Sequence, residues 1–96
     1  MPVYLITYDL NEPGKDYVGV ANKIASVCSN NCRVLKNAWF AYHKDFSAKE
    51  LFANLTNGKE FDANDKLFVV EITTNNHNGW LSKSAITWLA EAFKQH

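Results

Sequence analysis

Arginine is almost missing from this chain. Arg33 is the single arginine among ten basic residues, and ten acidic residues balance them to a net charge of zero. Bidentate readout of phosphate or guanine is therefore poorly provided for. The clustered positive charge that dominates nucleic-acid affinity is also lacking. Cysteine is scarce too: Cys28 and Cys32 stand alone, spaced C-x3-C. A zinc site would need two further ligands, and His43, His77 and His96 fall at no usual spacing for one. The pair reads as reduced structural thiols, since a stable disulfide is not expected in a cytosolic protein. No run approaches the ~20 apolar residues of a membrane span, and no basic-then-apolar leader opens the chain. These absences predict a cytoplasmic protein with no membrane part. There is no glycine-rich phosphate loop, nucleophile–base pair, internal repeat or low-complexity linker.

What is present is a globular composition, 47% apolar and 14% aromatic, in 96 residues. That length predicts one domain, 1–96, burying ~60–65% of the surface its unfolded form exposes. Val3 to Asp9 carries apolar side chains on both parities, the pattern of a strand covered on both faces. Asp9 stands where this strand emerges, just before Asn11-Glu12-Pro13-Gly14. A carboxylate there suits a metal ion or a reacting group, and equally suits capping of the turn through the N–H groups of residues 11–12.

Pro13-Gly14-Lys15-Asp16 predicts a turn into a helix, with Tyr17, Val20, Ala21, Ile24, Val27 and Cys28 on its buried face. Ser29-Asn30-Asn31 should end it. Residues 32–43 are strand-like throughout, either one long strand or two that fold back near Lys36-Asn37. Ser47-Ala48-Lys49-Glu50 is a capping box, opening a helix buried through Leu51, Phe52 and Leu55 and closed by Gly58. Lys66 to Thr73 is a further strand. A last helix is expected to be capped at Ser82 with a Leu81–Ile86 staple. Its apolar residues Ala85, Ile86, Trp88, Leu89, Ala92 and Phe93 span roughly 160°, wider than one sheet contact needs. With the break at Asn37, the order predicts an α+β fold, a ferredoxin-like βαββαβ sandwich with an added C-terminal helix. One sheet face would stay open unless that helix or a second copy covers it, so a homodimer is expected.

Tyr4-Leu5-Ile6-Thr7-Tyr8-Asp9-Leu10, Arg33-Val34-Leu35-Lys36-Asn37-Ala38-Trp39-Phe40 and Asp65-Lys66-Leu67-Phe68-Val69-Val70 resemble the small CRISPR-associated adaptation nuclease family. The Leu-Ile-x-Tyr-Asp-Leu opening and Gly79-Trp80-Leu81 ahead of a terminal helix are most similar to its stand-alone SinR-like relatives. The virulence-associated D ribonuclease toxins look like a more distant branch. The resemblance spans nearly the whole chain and rests on short motifs. It implies a homodimer in antiviral defence whose two first-strand aspartates, matched here by Asp9, hold a divalent metal for endonucleolytic cleavage. Mg²⁺ or Mn²⁺ would be the cofactor, and two Asp9 carboxylates would supply the minimum such an ion takes from protein. This chain departs from the family in two respects. Its first helix region has only Lys15 and Lys23 where the nucleases place arginines, and it ends in a helix where the integrase-partnering members add a strand.

Lys15, Lys23, Arg33 and Lys36 are the candidate contacts for RNA or DNA, enough for weak, salt-dependent binding. Glu71 is expected at the opposite end of the sheet from Asp9, while Asp65 and Lys66 fall near it. Trp39, Phe40 and Tyr42 are either a base-stacking platform or packing residues. His43 reads as strand-end polarity and His77 as a loop histidine able to act as acid or base. Two functions remain: a metal-dependent endonuclease built on paired Asp9, or a catalytically silent dimer that binds a protein partner.

Overall fold

The long strand-like stretch after the first helix folds back at Lys36–Asn37. In the computed structural model, which describes residues 2–11, 17–73 and 76–95, the chain runs β1 (Val3–Asp9), α1 (Tyr17–Val27), β2 (Asn30–Leu35), β3 (Ala38–Tyr42), α2 (Ala48–Leu55), β4 (Lys66–Ile72) and α3 (Lys83–Gln95). The Asn37 carbonyl accepts the Tyr8 N–H at 3.1 Å and the Thr7 hydroxyl at 3.2 Å, which pins the hairpin turn to the end of β1. The strands form one antiparallel sheet in the order β2-β3-β1-β4. The Pro-Gly turn and the start of the first helix at Lys15–Asp16 lie outside the described residues.

Residues opposite one another in an antiparallel pair share a face, so the register sorts the sheet into two sides. Tyr4, Ile6 and Tyr8 of β1 lie with Trp39 and Ala41 of β3 and pack against Val20, Ile24 and Cys28 of α1 and Leu51 and Leu55 of α2. Helical spacing dictates this, because α1 buries Val20 and Ile24, four residues apart on one stripe. Burial of the Cys28 thiol in this core pushes its pKa up to about 11. The second side carries Val3 and Phe40, covered by Leu89 and Ala92 of α3. α3 lies over β2 and β3, where Phe40 and Trp88 stack at 6.0 Å and the Trp88 Nε1–H donates to Asn30 Oδ1 at 3.0 Å.

The caps follow the sequence with two corrections. Ser47 and Glu50 form the reciprocal capping box, and the Ala85 N–H donates to the Ser82 hydroxyl at 3.2 Å. α2 closes at Thr56 rather than Gly58, with the Thr56 N–H and hydroxyl both donating to the Phe52 carbonyl. Phe52 points outward, 44% exposed, because in a two-turn helix the Leu51–Leu55 stripe already fills the contact and Phe52 falls a further ~100° round.

Candidate functional site

α3 sits over β2 and β3, and its apolar cluster also takes in Val3 and Leu5 of β1 and Ile72 of β4, so the part of the second face left open is the Asp9 end of β1–β4. Cross-strand partners Leu5↔Val70, Thr7↔Phe68 and Asp9↔Lys66 line it in three successive rungs. Phe68 is 63% and Val70 37% exposed, so an apolar strip faces solvent. Asp9 and Lys66 form its polar rim, both exposed. Thr7, Asp9, Lys66 and Phe68 border a shallow depression of about 220 Å3 at this end.

Of the two N–H groups expected to cap on Asp9, that of Asn11 goes elsewhere and that of residue 12 lies outside the described residues. The Asn11 N–H donates instead to Asp65 Oδ1 at 2.8 Å, and the second Asp65 oxygen accepts the Asp62 N–H at 2.9 Å. Asp65 therefore ties the loop after β1 to the loop before β4. The sequence placed Asp65 near Asp9 but could not tell which carboxylate would take the N–H. Among the described residues no group of three or more His, Cys, Asp or Glu is placed to hold a metal ion. One copy of Asp9 offers a divalent cation a single carboxylate.

The predicted nucleic-acid contacts do not gather around Asp9. Lys15 lies outside the described residues. The Lys23 ammonium donates to Asn57 Oδ1 at 2.6 Å, bracing α1 against the loop after α2. Arg33 donates from Nε and Nη2 to the Lys36 carbonyl, and its guanidinium lies 5.8 Å from the centre of the Trp39 ring. Its cross-strand partner Trp39 is on the side packed by α1 and α2, opposite to Asp9. Lys36, exposed in the hairpin turn, is nearest the Asp9 end of the sheet. Glu71 pairs with Tyr4, at the end of β1 remote from Asp9 and on the other face.

The aromatic platform is divided between the two cores. Trp39 is buried with its Nε1–H donating to the Tyr8 hydroxyl at 3.1 Å, and Phe40 is covered by Trp88. His43 has a larger role than its sequence suggests. Its Nδ1 accepts the Asp45 and Phe46 N–H groups at 3.1 and 3.2 Å, and its ring stacks on Phe46 at 3.9 Å. The Tyr4 hydroxyl donates to the Phe46 carbonyl of the same loop, and burial followed by Glu71 raises the Tyr4 pKa. His77 is exposed. Among the described residues no helix is long and apolar enough to cross a membrane. No family model, curated protein or solved structure matches this chain.

Proposed function

We propose that the chain works as a cytoplasmic homodimer joined through the open β1–β4 half-face, and that its Asp9 pair serves a divalent-metal-dependent endonuclease of the kind the CRISPR adaptation nuclease resemblance implies. The observation that carries this is the position of Asp9: exposed, at the rim of the apolar strip where Phe68 and Val70 face solvent. Stacked sheets lie ~10 Å apart, so aspartates reaching from two facing strands can share one cation. Mg²⁺ or Mn²⁺ bound there would supply an activated water and a clamp on the scissile phosphate. The strand order β2-β3-β1-β4, with α1 and α2 on one face, supports reading the first six elements as a ferredoxin-like sandwich and α3 as an addition to it.

The second reading, a catalytically silent dimer that binds a protein partner, is favoured by the engagement of Lys23 and Arg33 within the fold. Cleavage assays on RNA and DNA with Mg²⁺ or Mn²⁺ separate the two. Under the nuclease reading, wild type cuts and Asp9→Asn does not, while Glu71→Gln keeps most activity because it sits at the far end and on the other face. No cutting of any substrate by wild type selects the interaction module. Metal-dependent cutting that survives in Asp9→Asn removes the paired-aspartate mechanism.

A further inference from the structure

Trp80 is wholly exposed, at 102%. Yet its chain neighbours Gly79 and Leu81 line a cavity of about 200 Å3, together with Phe40, Ile86 and Leu89 and, on its polar side, His77 and Asn78. An apolar cavity of roughly 150 Å3 already accepts a benzene-sized ring. Side by side, then, the chain carries an unburied indole and a largely apolar socket edged by His77 and Asn78. Phe40 in the socket wall is the cross-strand partner of Leu5, and Leu5 of Val70, so the socket is continuous with the open strip.

We infer that Trp80 of each copy fills the socket of the other, so that the dimer interface is closed by a reciprocal exchange of indoles. This rests on the homodimer reading above and adds which residues lock it. In an isologous contact, residue i of one subunit meets j of the other and the reverse. A knob and a hole neighbouring on one surface are what such a contact requires. At 102% and 63% exposure, Trp80 and Phe68 offer roughly 300–400 Å2 of surface, close to half of the ~800 Å2 per partner that a standard interface buries. A stacked nucleobase is the rival occupant. The socket lining contains no lysine or arginine to hold an accompanying phosphate, whereas base stacking normally goes with a basic track.

Subunit mixing tests the exchange. Trp80→Ala removes the knob from a fully exposed position, and Ile86→Lys fills the socket from a residue already 38% exposed on α3, so both variants keep the fold. Each variant homodimer loses both indole contacts, and its dissociation constant should rise on the order of 100-fold. An equimolar mixture retains one intact contact, from the Trp80 of the Ile86→Lys chain to the socket of the Trp80→Ala chain. It should dimerise roughly tenfold more tightly than either variant alone. Fluorine NMR of 5-fluorotryptophan-labelled wild type should show the Trp80 resonance, assigned through Trp80→Ala, shifting with protein concentration. A wild-type dimer whose Trp80 resonance stays at the solvent position, or a mixture no tighter than its components, overturns the exchange and leaves the homodimer standing. A wild type that remains monomeric removes both. A shift that appears only on adding single-stranded oligonucleotide overturns the exchange in favour of base stacking.

Discussion

The second face of the sheet is two surfaces built from one set of strands. α3 brings Leu89 and Ala92 onto Phe40 of β3 and Val3 at the start of β1, each at most 7% exposed. Beyond the half-buried Leu5, the same face of β1 and β4 continues through Thr7, Phe68 and Val70, where Phe68 is 63% and Val70 37% exposed. One half is core and the other has the composition of core without its cover. Burying a large apolar side chain is worth about 1.5–3 kcal/mol, so the exposed half keeps most of that gain for whatever docks on it.

The sharpest way to break this comparison is to mutate one residue in each half. Leu89→Ala, at 2% exposure, should destabilise the monomer by about 3 kcal/mol in urea denaturation. Phe68→Ser should change monomer stability by less than about 0.5 kcal/mol, yet weaken dimerisation about tenfold in sedimentation at fixed salt. Equal stability losses from both would mean that the halves do not differ.

The helix-packed first face depends on local caps as well as burial, and α2 shows by how much. Ser47→Ala should cost about 1 kcal/mol in thermal or urea unfolding. The Glu50 carboxyl is held below its usual range, first by the Ser47 N–H and hydroxyl and then by His43. A folded-state value depressed below the unfolded one gives stability that is present above the unfolded value and lost as pH falls through the folded one. Glu50→Gln should therefore melt below wild type at neutral pH, with the gap closing below about pH 4. A gap independent of pH would remove the charge from the explanation.

The smallest effect is a rate. Burial raises the thiol pKa of Cys28 to about 11 and of half-buried Cys32 by less. Because the thiolate is the reactive form, Cys32 should label first with a disulfide reagent at neutral pH, and Cys28 only as the first core opens.

Much of this was legible in the residues. Period-2 and helical spacings, the Asn37 break and the Ser47–Glu50 box placed the elements to within a few positions, because those signals are local. The wide apolar arc of α3 said that the helix needed more than one contact. It could not say that Trp88 would turn towards Asn30 of β2 and leave Phe68 and Val70 of β4 exposed, a choice set by packing between residues 58 apart in sequence. Asp9 and Asp65 are alike as residue types, and only the β1–β4 register gives the Asn11 N–H to Asp65. The His43 cap was hidden for a similar reason, since a ring nitrogen accepting two N–H groups has no sequence signature.

Sedimentation equilibrium of wild-type protein across micromolar concentrations tests the account at its centre. A face left open for a second copy predicts a mass approaching twice the 10.9 kDa chain, reverting towards one chain in Phe68→Ser. A single-chain mass at every concentration, with Phe68→Ser indistinguishable from wild type, would contradict it.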